Sequence, residues 1–179
     1  MMKLVIALAA ILTILLVAKE VFGMTSGIGK KQPFVIMSPF KAMITKSGKP
    51  LANALVKVHY SWNSGTADDE EGYISEHKTD SNGIVSLPKI EREIFISNIQ
   101  TTASNYLISV VHDGEEIEMH SAGKVKPEIN GEFNQAVSKY TCDIDAPYMM
   151  VSEAGNIKSG YATTKCNWKG REKLNPEEL

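Results

Sequence analysis

The sequence predicts an all-β protein, an antiparallel β-sandwich of about seven to nine strands preceded by an N-terminal hydrophobic helix. Two observations lead to this prediction. Apolar and polar residues alternate with a period of two in several short segments, as they do in strands that bury one face. Residues that favour tight turns, mainly Gly, Asn, Asp and Pro, separate these segments at short intervals.

The clearest strand covers residues 54–62. Its apolar positions are Ala54, Val56, Val58, Tyr60 and Trp62, and the intervening positions are Leu55, Lys57, His59 and Ser61. Because the first set is rich in β-branched and aromatic side chains, we expect it to face the core and the second set to face outward. The preceding strand shows the same pattern, with inward positions at Phe40, Ala42 and Ile44.

Two turns flank the clearest strand. The first, at residues 47–50, contains Gly48, which adopts a positive φ without steric cost. The second, at residues 80–83, begins with Asp80, whose side chain can accept hydrogen bonds from the backbone that follows it. It ends in an Asn-Gly pair, the strongest short signal for a β-hairpin.

A further hairpin is predicted at residues 106–121, with Asp113-Gly114 as a two-residue turn. An uninterrupted register on one face pairs Val110 with Ile117, Ile108 with Met119 and Tyr106 with Ser121. On the other face it pairs Val111 with Glu116 and Ser109 with Glu118. Because one face is apolar and the other mixed, we expect one face to pack on the core.

Other segments complete the predicted sandwich. Residues 33–36 are a candidate edge strand, and residues 91–105 hold either a strand or a short helix. Later strands are predicted at 136–144, with Tyr140, Cys142 and Ile144 inward, and at 161–168, with Ala162, Thr164, Cys166 and Trp168 inward. The predicted core consists of Phe40, Ile44, Val56, Val58, Tyr60, Trp62, Val85, Leu87, Ile108, Val110, Ile117, Tyr140 and Trp168.

Residues 40–88 resemble the carboxypeptidase-regulatory-like, or transthyretin-like, β-sandwich. The residues that carry this resemblance are Gly48, Pro50, Ala54, Val56, Thr79, Asp80, Asn82 and Gly83. It implies a sandwich of the transthyretin or immunoglobulin kind. Most of the chain, including residues 165–168, also resembles a bacterial family known only as a domain of unknown function. Transthyretin-like folds include a purine-pathway hydrolase that ends in Tyr-Arg-Gly-Ser, a tetrapeptide that this sequence lacks. Neither resemblance therefore implies catalytic residues.

The N-terminal segment carries Lys3 and then an apolar run at residues 4–18. This run is shorter than the ~20 residues of a typical membrane span and fits the apolar region of a signal peptide, with cleavage after Gly23. An uncleaved membrane anchor is one alternative, and a cytoplasmic chain with a buried apolar helix is another. The first two place the domain in the periplasm, either free or anchored in the inner membrane.

The predicted organisation follows from these boundaries. Residues 1–23 are a signal peptide or an N-terminal anchor, and residues 24–38 are a linker. Residues 39–169 form the β-sandwich domain, and residues 170–179 are a charged tail.

The sequence contains two cysteines, Cys142 and Cys166, each on the predicted inward face of its strand. An even count in an exported chain indicates a disulfide, which would join two late strands. The alternative, two buried free thiols, requires a reducing compartment. The neighbouring sequence supplies no partner histidine, so we expect no catalytic thiol.

The candidate interaction surface combines a loop with the outward face of the clearest strand. The loop at residues 64–72 carries four consecutive acidic residues, and carboxylates are ligands that Ca²⁺ prefers, but their spacing is not that of an EF-hand. We therefore interpret it as a solvated acidic loop. A metal site at His59 and His77 would require these two residues to face each other across paired strands. The predicted surface consists of Lys57, His59, Asp68, Asp69, Glu70, Glu71 and His77.

The net charge and the missing motifs argue against several classes of function. A formal net charge of −2 shows no excess of basic residues, so nucleic acid is not an expected partner. The sequence contains no His-Glu-x-x-His, Cys-x-x-Cys, Gly-x-Ser-x-Gly or phosphate-loop motif. We therefore expect no catalytic residue, no cofactor and no bound metal, and a protein partner in the cell envelope. If the N-terminal helix is uncleaved, the membrane is a second partner.

The leading hypothesis is a non-catalytic binding module of the bacterial cell envelope. One alternative is a periplasmic immunity or inhibitor protein directed against a secreted toxin. A third hypothesis, from a different class, is a metal-dependent or hydrolytic enzyme built around His59 and His77.

Overall fold

The computed structural model describes residues 29–63, 72–97, 101–133, 139–153 and 161–174. The predicted N-terminal helix, the acidic residues 68–71 and the first part of the predicted strand at 136–144 lie outside this part of the chain. The described residues form strands and turns and no helix, which confirms the all-β prediction. None of these segments is a helix long and apolar enough to cross a bilayer.

The described residues form fourteen strands in three sheets. In chain order the strands are β1 (Gly29–Met37), β2 (Phe40–Lys46), β3 (Lys49–Pro50), β4 (Leu55–Asn63), β5 (Tyr73–Lys78), β6 (Ile84–Leu87), β7 (Ile90–Ser97), β8 (Ala103–His112), β9 (Glu115–Lys124), β10 (Tyr140–Asp143), β11 (Met149–Glu153), β12 (Ala162–Thr164), β13 (Cys166–Asn167) and β14 (Arg171–Lys173).

The largest sheet has seven strands in the order β14-β11-β12-β9-β8-β4-β5, and all its neighbours are antiparallel. A five-stranded sheet has the order β13-β10-β2-β3, with β6 also paired to β2. In this sheet β10 runs parallel to β2, so the sandwich is not purely antiparallel. Strands β1 and β7 form a separate antiparallel pair.

One core lies between these sheets. It contains side chains from all three, and Phe40 of β2 lies 5.3 Å from the ring of His120 of β9, measured between centroids. Twelve of the thirteen predicted core residues are buried, and the other, Ile117, is partly buried and packed against them. The alternation of apolar residues therefore predicted the inward faces correctly, because a strand with one buried face must place its apolar residues at every second position.

The β8–β9 hairpin forms at the predicted turn, but its register changes along the strands. The predicted pair Val110 and Ile117 is confirmed, whereas Ile108 lies opposite His120 and not opposite Met119. The predicted pairing of Tyr106 with Ser121 is wrong for the same reason, since Tyr106 faces Ala122. A β-bulge after Ile108 adds one residue to β9, and a bulge of this kind shifts all later pairs by one.

The turn at residues 80–83 also forms, but it does not close a hairpin. Asp80 Oδ1 accepts hydrogen bonds from the amides of Asn82 and Ile84, as the sequence predicted. The strand before the turn, β5, pairs with β4, and the strand after it, β6, pairs with β2. The turn therefore carries the chain from one sheet to the other.

Three boundaries differ from the predicted ones. β1 begins at Gly29, inside the predicted linker, and pairs along its length with β7. Arg171–Lys173, inside the predicted tail, form β14 against β11. The predicted strand at 161–168 is divided between two sheets, because Thr164 pairs with β9 and Cys166 pairs with β10. The inward alternation continues through this crossing.

Candidate functional site

The outward face of the seven-stranded sheet carries an ordered group of polar side chains, here called the Glu116 cluster, which consists of Lys57, His59, Ser109 and Glu116. Lys57 Nζ lies 2.9 Å from Glu116 Oε2, and His59 Nε2 lies 2.6 Å from Glu116 Oε1. Ser109 Oγ donates to the same Oε1 at 2.6 Å. Residues from β4, β8 and β9 thus meet at one carboxylate, which lies over the centre of the sheet.

The donors around Glu116 stabilise its ionised form. The hydrogen bond from Ser109, followed by those from Lys57 and His59, lowers the pKa of the carboxyl group to about 2. The same contact raises the pKa of Lys57. At neutral pH the cluster therefore holds a carboxylate and an ammonium in fixed positions.

Exposed apolar side chains lie on the same face as the Glu116 cluster, toward the two sides of the sheet. Ile74 lies opposite His59 in the register of β4 and β5, and its side chain is 59% exposed. A single row of paired residues crosses six strands of the sheet through Ile74, His59, Leu107, Ser121, Thr163 and Met150. The face therefore combines exposed apolar residues at its two sides with charged residues near its centre.

A shallow depression of about 230 Å³ lies beside His59 on this face. Its walls include Ser61, Asn105 and Leu107. Gly72, the residue before β5, is also part of the wall. The acidic residues 68–71, which were predicted to belong to the same surface, lie outside the described residues.

His77 does not face His59. In the register of β4 and β5, His77 pairs with Val56, which points into the core, and His59 pairs with Ile74. The two histidines therefore lie on opposite faces of the sheet, and the facing arrangement that a shared metal site required is wrong. The physical reason is the register of β4 and β5, since a shift of one residue moves a side chain to the other face. The sequence did not predict this register, because the length of the loop between the two strands was unknown.

His77 instead lines a cleft between β5 and β7, here called the Arg92 cleft. His77 Nε2 lies 3.2 Å from Ser75 Oγ. Across the cleft, an Arg92 terminal nitrogen donates to the hydroxyl of Tyr60 at 2.6 Å, and the guanidinium also packs against the rings of Tyr60 and Tyr73. The cleft has a volume of about 170 Å³. The sequence did not predict a role for Arg92, since a lone basic residue in a candidate strand carries no specific signal.

A buried histidine is a second feature that the sequence did not predict. His120 is fully buried, and the rings of Phe40, Tyr106, Tyr140 and Trp168 lie around it. Burial lowers the pKa of His120 to about 3, so the imidazole is neutral at physiological pH. The β9 bulge places two consecutive residues, Met119 and His120, toward the core. Strict alternation would place His120 on the outward face.

A buried ion pair joins the end of β9 to the segment that follows it, and Ser38 between β1 and β2 contacts its carboxylate. Lys124 Nζ lies 3.5 Å from Glu132 Oε2 and also donates to the carbonyl of Glu128. Ser38 donates to both carboxylate oxygens of Glu132, through its amide to one and through its hydroxyl to the other. Every group of this cluster is thus engaged in holding residues 124–132 against Ser38, which indicates a structural role.

The predicted disulfide is present. Cys142 of β10 and Cys166 of β13 are bonded and fully buried, and they are separated by 24 positions in the sequence. The bond joins the strand at the edge of the five-stranded sheet to its neighbour, next to the point where the chain crosses from the other sheet. Disulfides persist in oxidising compartments, so the bond is a weak indication of export.

Comparison with known proteins gives one match. A family model described as a domain of unknown function, DUF6795, matches residues 40–147, which is more than half of the 179 residues. The matched range contains all four residues of the Glu116 cluster and the lining of the Arg92 cleft contributed by β4, β5 and β7. No curated protein and no solved structure matches the chain.

Proposed function

The chain belongs to the DUF6795 family, and we propose that it is a non-catalytic binding module of the bacterial cell envelope, which binds another protein. The observation that carries this proposal is the outward face of the seven-stranded sheet. The side chains of His59 and Glu116 are each 34% exposed, and Ile74, opposite His59, is 59% exposed. An exposed sheet face of mixed apolar and charged character is typical of protein–protein contacts.

The state of the Glu116 cluster favours recognition over catalysis. A carboxylate that acts as a general acid or base must exchange protons near the working pH, whereas a pKa of about 2 makes Glu116 a weak base at pH 7. Ser109 is fully buried and donates to Glu116, so it is not placed to attack a substrate. The same contacts hold the four side chains of the cluster in one arrangement, which lowers the entropy cost when a partner binds.

The envelope location rests on two features. The disulfide is buried in the core, where it contributes to stability only if the protein folds in an oxidising compartment. The apolar run at residues 4–18 is the segment that would direct export or anchor the chain. The fold that we propose is a carboxypeptidase-regulatory-like sandwich, supported by the turns at residues 47–50 and 80–83.

Site-specific photo-crosslinking tests the proposal. A photoreactive amino acid is placed at position 74 of the full-length chain, in cells of the natural host, and cross-linked products are identified by mass spectrometry. Position 43 is the matched control, because Met43 is 39% exposed and lies on the outward face of the other sheet. We expect one dominant protein adduct at position 74 and none of the same identity at position 43.

The identity of the adduct separates the hypotheses. A secreted toxin as the adduct would make this chain an inhibitor, and an envelope protein would make it an assembly or adaptor module. The substitution Ile74→Asp should abolish co-purification of that partner, because it places a charge in the apolar part of the face. The same protein captured equally at both positions, or no protein adduct at position 74, contradicts the proposal.

A further inference from the structure

We propose that the Arg92 cleft binds a small organic oxyanion, a carboxylate or a phosphate attached to an apolar group. The cleft lies between β5 and β7, on the side of the seven-stranded sheet opposite the Glu116 cluster, so this site does not depend on the proposed protein-binding face. Its volume of about 170 Å³ is below the ~300–1,000 Å³ of drug-sized pockets. A small anion, or the charged end of a larger molecule, is the ligand of matching size.

Among the described residues, the guanidinium of Arg92 is hydrogen-bonded but forms no ion pair with a carboxylate. Within the described residues its guanidinium donates to the hydroxyl of Tyr60 at 2.6 Å and to the carbonyl of Glu91 at 2.9 Å, which are both uncharged acceptors. A guanidinium has five N–H donors, so three have no protein acceptor in this part of the chain. A carboxylate or phosphate matches the fork geometry of these donors and would neutralise the charge.

Aromatic packing fixes the orientation of the guanidinium. Its central carbon lies 5.5 Å from the ring centroid of Tyr60 and 5.9 Å from that of Tyr73, and those two rings stack on each other. Cation–π contacts of this kind stabilise the cation and restrict its rotamers. Binding an anion therefore costs less side-chain entropy than it would at a freely rotating arginine.

The other walls of the cleft suit the two parts of such a ligand. His77 and Lys89 add a ring nitrogen and an ammonium on the polar side, where Lys89 is also paired with Glu91 at 2.9 Å. Met37, Pro88 and Ile90 form an apolar wall. An anionic group would lie against Arg92 and His77, and an apolar body would lie against this wall.

The test is a titration of the ¹⁵N-labelled full-length chain, in a neutral detergent, with benzoate and with phenyl phosphate. We expect saturable amide shifts at residues 75–77 and 89–92 at millimolar concentrations of at least one of the two probes. The stronger probe identifies the oxyanion as carboxylate or phosphate. Benzamide has the same ring without the charge and should produce no saturable shift at these amides.

Variants assign the binding to the cleft. Arg92→Lys keeps the positive charge but loses the fork, and we expect it to weaken affinity by about tenfold. Lys78→Gln is the matched control, since Lys78 is on the same strand but faces outward, and it should bind as the natural chain does. If Arg92→Lys does not fold, His77→Gln provides the second variant and should also weaken binding.

Two results would overturn the proposal. One is the absence of saturable shifts with both oxyanions in the natural chain. The other is a set of shifts that benzamide reproduces, or that Lys78→Gln reduces as much as a cleft variant does, because the oxyanion would then be held by general charge or by the aromatic surface alone. In either case Arg92 is a structural clamp that holds β7 against Tyr60.

Discussion

At the scale of single residues, His120 is a titratable side chain that is fully buried among aromatic rings. The hydroxyl of Thr164 donates to the carbonyl of Met119 at 3.1 Å and accepts from the amide of Cys166 at 2.9 Å. His120 Nδ1, at 3.0 Å from the same hydroxyl, is therefore the donor of that contact. This leaves Nε2 as a buried acceptor with no hydrogen-bond partner among the described residues. The core is thus built for the neutral imidazole.

This neutral state makes the stability of the protein sensitive to acid. In the unfolded chain His120 takes up a proton near pH 6.5, whereas in the folded chain it does so only near pH 3. The unfolded state thus binds more protons between these values, so the stability present above pH 6.5 is lost as the pH falls. From about pH 7 to about pH 5 the natural chain should lose about 2 kcal/mol more than His120→Leu.

The measurement is urea unfolding with the disulfide intact. Met119→Leu changes the adjacent buried side chain without changing any titratable group, so it should keep the pH dependence of the natural chain. Parallel pH profiles for the natural chain and His120→Leu would show that the buried imidazole contributes nothing to acid sensitivity.

The inward position of His120 could not be predicted from the alternation of residues along β9. The alternation of β9 placed Ile117 and Met119 inward and therefore assigned His120 to the outer face. A bulge adds one residue, and nothing in the composition of residues 115–124 distinguishes a bulged strand from a regular one. The positions of Val56, Val58 and Tyr60 were predictable because β4 pairs without a register shift.

At the scale of elements, the turns differ in how closely they contact the rest of the fold. Gly83 has a φ of 74°, and its amide and carbonyl connect the turn at residues 80–83 to Asp80 and to β2. A Cβ at this position would lie 2.8 Å from the carbonyl oxygen of Ile44 and 3.0 Å from the amide nitrogen of Leu51. Gly114 has a φ of 84°, but a Cβ there would meet no atom within 4 Å.

Alanine at these two glycines separates strain from crowding. Gly114→Ala should lower the free energy of unfolding by about 1 kcal/mol, the cost of a left-handed conformation for a residue with a Cβ. Gly83→Ala should cost about 3 kcal/mol or more, because the backbone of Ile44 must also move. Chemical denaturation of both variants provides the comparison. Equal costs would mean that the contact with β2 adds nothing to the conformational strain.

Element boundaries and pairings were predictable to different degrees. The turn at residues 80–83 could be predicted because its side-chain and glycine chemistry is local. Its role as a crossing between sheets could not, since the partner of β6 is β2, far from it in the sequence. The parallel pairing of β10 with β2 and the strand at Arg171–Lys173 depend on tertiary contacts in the same way.

In the two candidate sites, too, the local features could be predicted from the sequence and the contacts between distant strands could not. The outward positions of Lys57 and His59 follow from the alternation of β4 and could be predicted. Their joint contact with Glu116 could not, because Glu116 lies on β9, two strands away in the sheet. The Arg92 cleft lies between β5 and β7, which belong to different sheets. The sequence of one strand does not indicate which strand of another sheet it will face.

At the scale of the whole molecule, the disulfide lies next to the point where the chain crosses from one sheet to the other. The chain leaves the seven-stranded sheet at Thr164 and enters the other sheet at Cys166, where it is bonded to Cys142. The crossing residue, Lys165, donates from its side chain to the carbonyl of Ile144 at 2.8 Å. The end of the chain that supplies β13 and β14 is therefore held to the sandwich by one covalent bond and a few short pairings.

Removal of this bond should lower the free energy of unfolding by about 3 kcal/mol, the value expected from the chain entropy of a loop of this length. The comparison is the double variant Cys142→Ala/Cys166→Ala against the oxidised natural chain in urea, with the reduced natural chain as the control for the loss of the side-chain sulfurs. Since small domains are stable by only about 5–15 kcal/mol, this loss is a large fraction of the total. The folded population would then depend on the compartment in which the chain folds.

Alkylation of intact cells without reductant should leave both cysteines unmodified. Labelling of both thiols would mean that the disulfide does not form in the cell, and it would then give no support to an envelope location.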